Sequence, residues 1–252
     1  TLNDTKRQAR ITYNLGMTYT NLVRYDSAKK YLDATQAYWP IIHDTVLQVS
    51  SYNALAILSN YQSDYPQAVK YLLESAAIID QSKTKSIQQL MPQVYSTISS
   101  NLIAQKQYEK GIEYSIKALR LKDYPGEPRY RVILHLDVFD AYLQLNQMDL
   151  AKAHLDSAVL FNQPLNNRVI TNLVSRNEGV YYNYVKDYPQ ALASYLKSYQ
   201  LSETLKYASL KSQAANNISG IYLILLKYEE ARKYALEANE IGRRLKQFEV
   251  VS

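Results

Sequence analysis

Apolar residues recur along the chain at spacings of three and four residues, and short polar stretches interrupt this pattern at regular intervals. Such spacing places the apolar side chains on one side of an α-helix. Within residues 13–32, Leu15 and Leu22 mark one helix, and Ala28 and Leu32 mark a second helix after a short polar turn. The pattern therefore predicts a helical hairpin.

The hairpin pattern returns at a nearly constant distance. An alanine or glycine occupies the same place in six segments, at steps of 40, 43, 40, 40 and 40 residues: Ala28, Ala68, Gly111, Ala151, Ala191 and Ala231. Self-similarity at this period is typical of solenoids. We predict an all-α fold, one solenoid domain over residues 1–252, with six helix-turn-helix repeats at roughly 9–43, 49–83, 92–124, 132–165, 172–205 and 212–247.

Several residues predict where the helices begin. Pro66 and Pro189 follow the polar turns, and proline is tolerated in the first turn of a helix because the backbone N–H it lacks would have no partner there. Asp64 and Asp187, two residues upstream, are expected to cap these helices.

Small and aromatic residues fall into fixed positions of the repeat. The first helices share a small residue, at Gly16, Ala56, Ser99, Gly179 and Ser219, which is expected to let paired helices approach closely. Of the 25 tyrosines, 13 occupy three repeat positions and are expected to pack between helices: Tyr19, Tyr142, Tyr182 and Tyr222; Tyr25, Tyr65, Tyr108, Tyr188 and Tyr228; Tyr31, Tyr71, Tyr114 and Tyr234. Phe139 and Glu178 depart from the pattern, which leaves the packing around them open.

The segment Asn14-Leu15-Gly16, with Tyr19, Tyr25 and Ala28, resembles the tetratricopeptide repeat, whose pattern includes L-G-x2-Y and a later alanine. The resemblance extends over roughly residues 9–247 and implies a right-handed α-α superhelix. The period of about 40 residues instead of 34 predicts longer helices or longer turns between repeats. The long repeats also resemble those of bacterial signalling proteins, the peptide-sensing regulators of Gram-positive bacteria and, more closely, the sensor segments of Bacteroidetes regulators. The second likeness favours a periplasmic location, with a cytoplasmic one as the alternative.

Composition narrows the choice of function. No stretch approaches the roughly 20 apolar residues of a membrane helix. The net charge is +6, but the basic residues are scattered, which disfavours direct nucleic-acid binding. Cysteine is absent, which excludes thiolate metal sites and disulfides. Because the chain starts at Thr1 and its last predicted helix ends without a polar cap, we expect it to be a fragment of a longer protein.

The sequence gives no sign of catalytic chemistry. His43, His135 and His154 are assigned to different repeats, without the paired spacing of metal ligands, and His154 takes a position mostly held by tyrosine. Neither a phosphate-binding glycine loop nor a nucleophile elbow occurs. We therefore expect no enzymatic activity, no metal and no cofactor.

The resemblance implies that the first helices line a concave groove where an extended peptide or protein binds. The residues expected there are Tyr13, Asn14, Met17, Asn21, Asn53, Ile57, Asn60, Tyr61, Asp137, Asp140, Gln144, Arg176, Asn177, Asn183, Tyr184, Asn216 and Asn217. An asparagine amide offers a donor and an acceptor to a peptide backbone, although asparagine on a helix surface can also serve solubility alone. Tyr13 and Met17 replace the lysine and asparagine of the family's carboxylate clamp, so chaperone tails are not expected ligands.

Two other functions remain open. The exposed ends of a repeat array can associate with a second copy, so a structural, self-associating array or a homodimer is the first alternative. Binding of RNA by helical repeats is the second alternative, but Asp137 and Asp140 in the predicted groove argue against it. A small-molecule substrate is not expected.

Overall fold

A computed structural model describes residues 1–122 and 127–251, with side chains for all of these except residues 127 and 245–251. The described residues form helices and turns, with no strand among them. The longer helices are α1 (Leu2–Asn21), α2 (Tyr25–Gln36), α4 (Thr45–Tyr61), α5 (Tyr65–Gln81), α7 (Met91–Ala104), α8 (Tyr108–Arg120), α9 (Glu127–Gln144), α10 (Met148–Asn162), α11 (Arg168–Tyr184), α12 (Tyr188–Leu205), α13 (Ala208–Ile224) and α14 (Tyr228–Val251). The short helices are α3 (Trp39–Ile42) and α6 (Lys85–Gln88), and a 3-10 turn covers Gln163–Leu165. The fold is the predicted all-α solenoid.

The longer helices follow one another as hairpins: α1–α2, α4–α5, α7–α8, α9–α10, α11–α12 and α13–α14. The two short helices and the 3-10 turn lie in the connections between hairpins. The residues beyond the usual repeat length are therefore accommodated in longer helices of most hairpins and in these connections. The last helix, α14, extends to Val251, a few residues past the approximate end of the sixth predicted repeat. In the part of the chain that the structure describes, no helix is both long and apolar enough to cross a membrane.

The chain divides into two compact units. Unit 1 comprises the described part of residues 1–130 together with residues 144–146, and unit 2 comprises residues 131–143 and the described residues from 147 onward. Unit 1 has a core of α4, α5 and α7 side chains that includes Leu72, Ile79 and Ile98. Unit 2 has a core of α9, α10 and α11 side chains that includes Phe139 and Leu155. Each unit thus buries apolar side chains of its own.

The predicted helix starts are confirmed. Asp64 Oδ1 accepts a hydrogen bond of 3.1 Å from the Gln67 backbone N–H, and Asp187 Oδ1 accepts one of 3.2 Å from the Gln190 N–H. A proline follows the first helical residue in both α5 and α12. The aspartate and the proline predicted from the sequence therefore mark the start of both helices, α5 and α12.

Close approach of paired helices at the small residues is also confirmed. A Cβ atom added to Gly16 would lie 2.7 Å from the Leu32 side chain, and one added to Gly179 would lie 2.5 Å from the Tyr195 ring. Such distances leave no room for a methyl group without movement of a neighbour. Glycine at these two positions is therefore required by packing and not by backbone conformation.

Serine at the same repeat position makes a specific bond. Ser99 Oγ donates to the Gly111 carbonyl at 2.7 Å, and Ser219 Oγ donates to the Ala231 carbonyl at 2.8 Å. Both hydroxyls are buried and both bonds join the two helices of one hairpin. The small residue therefore allows close approach in some hairpins and a hydrogen bond in others.

Aromatic rings pack between the paired helices, as predicted. Tyr19 stacks on Tyr31 with centroids 5.3 Å apart, and Tyr222 stacks on Tyr234 at 5.9 Å. In the fourth hairpin the same two repeat positions hold Tyr142 and His154, whose centroids are 5.7 Å apart. The departure at Phe139 is accommodated in the core of unit 2, where this side chain is fully buried.

Candidate functional site

The predicted site residues lie on five of the six first helices: α1 and α4 in unit 1, and α9, α11 and α13, almost entirely in unit 2. Gln144, at the exposed end of α9, groups with unit 1. The structure collects subsets of these residues into separate pockets, which are described unit by unit.

The largest of the described pockets that contain predicted residues lies between α4 and α7 in unit 1. We call it the α4–α7 pocket, and its volume is about 490 Å³. Three predicted residues, Ile57, Asn60 and Tyr61, line one side of it. The other lining residues are Tyr65, Ser96, Thr97, Ser100, Asn101 and Ala104. The lining combines polar side chains with two tyrosines, an isoleucine and an alanine, so the pocket offers both hydrogen-bonding groups and apolar surface.

Sequence reasoning missed the contribution of α7. The third repeat matches the family pattern poorly, so no residue of it was included in the predicted groove. Its polar side chains nevertheless occur three and four residues apart, at Ser96, Thr97, Ser100 and Asn101, which places them on one side of the helix. That spacing is the signal that could have identified them.

A second pocket in unit 1 lies between α1 and α4. Its volume is about 250 Å³, and Tyr13 and Asn14 line it together with Arg10 and Asp44. The Arg10 guanidinium lies 3.5 Å from the Asp44 carboxylate, which also caps α4. Burial raises the pKa of Tyr13. This pocket thus combines one ion pair with a half-buried tyrosine.

The remaining predicted residues of unit 1 differ in exposure. Met17 is half-buried and packs against a core cluster that includes Ala28 and Leu32. Asn21 is exposed near the end of α1. Asn53 Oδ1 is buried, with no hydrogen-bond partner among the described residues.

In unit 2, a polar row crosses three first helices. Arg176 of α11 donates a hydrogen bond of 3.4 Å to Gln213 Oε1 of α13. Asp140 of α9 lies near Arg176, and burial raises the pKa of Asp140 to about 6, although the guanidinium opposes that shift. Gln213 was not predicted. The row therefore holds a desolvated carboxylate beside a cation, an arrangement that is common at functional sites.

The asparagines of unit 2 are not equally accessible. Asn177 is 2% exposed and its Nδ2 donates to the Leu173 carbonyl at 2.8 Å, while its Oδ1 has no partner among the described residues. Asn183 and Asn216 are exposed, and Asn217 is half-buried. Asn216 lines a pocket of about 250 Å³ between α13 and α14. Of the other predicted residues, Tyr184 is exposed and Asp137 is half-buried.

The assignment of the three histidines to different repeats is wrong for His135 and His154, which both lie within the repeat predicted at 132–165. His135 and His154 belong to the same hairpin, α9–α10, and their Nδ1 atoms lie 3.0 Å apart. Burial and the neighbouring charges of His154 and Arg131 lower the pKa of His135 to about 4, and burial lowers the pKa of His154. Phe161 stacks on His135. The hairpin brings together two residues that are 19 apart in sequence, which a search for short motif spacings cannot find.

The paired histidines lack the further ligands of a usual metal centre. Among the described residues, no group of three or more histidine, aspartate or glutamate side chains is arranged to hold a metal ion. The Nδ1 separation matches a hydrogen bond in which one ring donates and the other accepts.

Comparison with known proteins identifies the repeat. Residues 9–34 match the family model of the tetratricopeptide repeat. No curated protein sequence matches the chain at a significant level. The sequence match thus covers the first hairpin, where the pattern L-G-x2-Y is most complete.

Solved structures resemble the whole chain. A signal-transduction ATPase with a tetratricopeptide repeat sensor from Pyrococcus horikoshii has a TM-score of 0.74 and 18% identity, covering 98% of this chain and 39% of that chain. Aspartyl phosphate phosphatase F from Bacillus subtilis has a TM-score of 0.74 and 12% identity, covering 94% of this chain and 71% of that chain. NprR in complex with its cognate peptide NprX has a TM-score of 0.68 and 16% identity, covering 93% of this chain and 68% of that chain.

These identities are low, so the likeness concerns the fold and not a shared activity. The short sequence match and the structural likeness nevertheless agree with the repeat register that the residues of this chain establish. The chain therefore has the tetratricopeptide-like helical repeat fold, and its first hairpin matches the repeat itself.

Proposed function

We propose that this chain is a protein- or peptide-binding module and forms the sensory or interaction part of a bacterial regulatory protein. The observation that carries the proposal is the α4–α7 pocket, since it combines a volume of about 490 Å³ with Ile57, Asn60 and Tyr61 from the predicted surface. Helical repeats of this fold generally serve as binding scaffolds, and we infer a non-enzymatic role for this one.

The comparisons support a regulatory setting. NprR binds a cognate peptide, and the Pyrococcus horikoshii protein carries its repeats as a sensor. We extend a peptide ligand to this chain because its first helices present exposed asparagine and tyrosine side chains, among them Asn183, Tyr61 and Tyr184.

The exposed side chains suit an extended peptide. The asparagine amide can donate to a peptide carbonyl and accept from a peptide N–H, so it binds the backbone whatever the side chains. Tyr61 and Tyr184 are 59% and 49% exposed and offer large contact areas with few rotatable bonds. These two properties together favour a segment of unfolded chain over a rigid small molecule.

The test is a selection of displayed peptides on the purified chain, followed by calorimetry with the synthetic winners. Asn60→Ala and Asn183→Ala should each weaken binding by about fivefold or more if their amides pair with the ligand. Asn3→Ala is the matched control, because Asn3 is an exposed helical asparagine outside the predicted surface. A selection that yields no binder, or binders that are indifferent to both variants, would refute the proposal.

A self-associating array is the second candidate. It is favoured by exposed apolar side chains at the α13–α14 turn, where Leu223, Ile224, Leu226 and Tyr228 are 52%, 49%, 69% and 62% exposed. Sedimentation velocity over a range of concentrations separates the two candidates. Self-association predicts a dimer that Leu226→Asp dissociates, whereas a monomer at all concentrations rejects it.

A further inference from the structure

The polar row of unit 2 runs diagonally across its three first helices. Asp140 of α9, Arg176 of α11 and Gln213 of α13 are 36 and 37 residues apart, whereas the repeat period in this part of the chain is 40. Each member therefore lies about one helical turn earlier on its helix than the member before it. The row thus places a carboxylate, a guanidinium and an amide side by side.

Arg176 retains most of its hydrogen-bonding capacity. A guanidinium carries five N–H donors. Among the described residues only Gln213 accepts a hydrogen bond from it, and that bond is long, at 3.4 Å. The side chain is half-buried and lies near Tyr195 of α12, where burial raises the pKa and the guanidinium opposes that rise. Arg176 is therefore a partly dehydrated cation with donors left for a ligand.

Asp140 supplies the opposite charge without being bonded to it. Among the described residues no direct ion pair joins it to Arg176, so more than 4.0 Å separates the carboxylate oxygens from the guanidinium nitrogens. The carboxylate also accepts no hydrogen bond from the described part of the chain, although the side chain is half-buried. A dehydrated carboxylate that lacks a donor is costly, so a ligand that supplies one gains free energy.

The two opposite charges select the kind of group that can bind between them. A carboxylate bound to Arg176 would be repelled by Asp140, and an ammonium group bound to Asp140 would be repelled by Arg176. A neutral group that donates to Asp140 and accepts from Arg176 meets no like charge. Its hydrogen bonds to the two ions are also stronger than bonds between neutral groups. The pair therefore favours a neutral group with both a donor and an acceptor.

A primary carboxamide meets this requirement better than the other neutral groups of a peptide. Its NH₂ group and its carbonyl oxygen diverge from one carbon atom, so they can reach two neighbouring side chains from the same side. A trans peptide bond directs its N–H and its carbonyl in opposite directions. A hydroxyl would have to contact both ions through a single oxygen, across a gap of more than 4.0 Å.

We propose that Asp140 and Arg176 bind the carboxamide of an asparagine or glutamine side chain in an extended peptide ligand, whose N–H donates to Asp140 and whose carbonyl oxygen accepts from Arg176. Gln213, on the next first helix, positions the guanidinium. The inference rests on the proposed function and specifies what unit 2 recognises. It predicts that peptides selected on this chain contain asparagine or glutamine.

The experiment uses three blocked amino acids and two-dimensional NMR on the whole chain. The pH is about 7.5, where the carboxyl group of Asp140, with its pKa of about 6, is ionised. N-acetyl-glutamine-N-methylamide should bind saturably and shift the amide signals of α9 and α11. The corresponding glutamate and lysine probes, which carry one negative and one positive charge, should bind about fivefold or more weakly.

Two variants that each remove one charge should change the order of the affinities. Asp140→Asn removes the repulsion of an anion, so the glutamate probe should become the tightest. Arg176→Gln removes the repulsion of a cation, so the lysine probe should become the tightest. Asp149→Asn, at an exposed position of the second helix α10, is the matched control and should keep the wild-type order. A variant that had lost its fold would weaken all three probes alike, so a changed order is specific to the site.

Two results would overturn the inference. One is the absence of saturable binding by the glutamine probe, and the other is the same order of affinities in the wild type and in both charge variants. If the peptide selection yields binders without asparagine or glutamine, the proposed function stands and this inference alone is rejected. If the selection yields no binder at all, the proposed function itself is rejected.

Discussion

The turns between paired helices each contain one residue with a left-handed backbone. The positions are equivalent in all six described hairpins, with φ between 58° and 65°: Val23, Ser63, Lys106, Asn146, Lys186 and Leu226. The left-handed region is unfavourable for residues with a Cβ atom and worst for β-branched ones, whereas asparagine tolerates it. Val23 is therefore strained, although its side chain is exposed.

Val23→Asn should raise the free energy of unfolding by about 1 kcal/mol, because it relieves this strain and removes little packing. Urea denaturation followed by circular dichroism measures the change. The reverse exchange, Ser63→Val at the equivalent and exposed position of the second hairpin, should lower the stability by a similar amount. Equal stability of the wild type and both variants would show that a β-branched residue causes no strain at this turn position, and would contradict the prediction.

Two glycines of unit 2 provide a matched pair for testing helix packing. A Cβ at position 179 would contact the Tyr195 ring at 2.5 Å, whereas one at position 220 would meet nothing within 4 Å. Gly179→Ala should therefore destabilise the chain by about 1–3 kcal/mol. Gly220→Ala should be neutral or stabilising by up to about 1 kcal/mol, since alanine is the better helix former. Thermal and urea unfolding measure the stability of both variants. If Gly220→Ala were destabilised as much as Gly179→Ala, close helix packing would not explain the effect at position 179.

At the scale of the helical hairpin, the sequence predicted some features and not others. The repeat register predicted the pairing of helices, their caps and the packing of small residues and tyrosines, because these depend on contacts that recur at a fixed spacing. The left-handed turn position was not predictable from residue type, since it holds valine, serine, lysine, asparagine and leucine. The role of α7 in the pocket was missed for a different reason. The third repeat matches the family pattern poorly and was left out of the predicted groove, but its helix still supplies polar side chains to the pocket.

The histidine pair predicts how the α9–α10 hairpin responds to pH. The folded-state pKa of His135 is lowered to about 4 from an ordinary value of 6.5, so the folded chain binds fewer protons than the unfolded chain between these pH values. The contribution to stability is therefore complete above pH 6.5 and is lost as the pH falls toward 4.

Relative to His135→Gln, the wild type should lose about 1–3 kcal/mol of stability between pH 7 and pH 4.5. Urea unfolding at a series of pH values measures this difference and cancels the titration of other groups. A constant difference between wild type and His135→Gln would show that burial of the pair has little effect on its protonation.

At the scale of the whole molecule, each of the two units has a core of its own. The sequence predicted one continuous array, because a constant period contains no information about where the buried contacts are dense and where they are sparse. In repeat proteins each hairpin is stabilised mainly by its neighbours, so a local defect lowers the stability of nearby hairpins first.

Gly179→Ala allows this local behaviour to be observed, because it introduces a defect between α11 and α12 in unit 2. Hydrogen exchange measured by mass spectrometry should show faster exchange in α11 and α12, with peptides from α4 and α5 of unit 1 exchanging as in the wild type. Gly220→Ala should leave the exchange of α4, α5, α11 and α12 as in the wild type. This control separates the effect of the packing defect at position 179 from the effect of any glycine-to-alanine substitution. If α4 and α5 lost protection in parallel with α11 and α12, the chain would unfold as one cooperative block, and destabilisation of either unit would then reach the α4–α7 pocket.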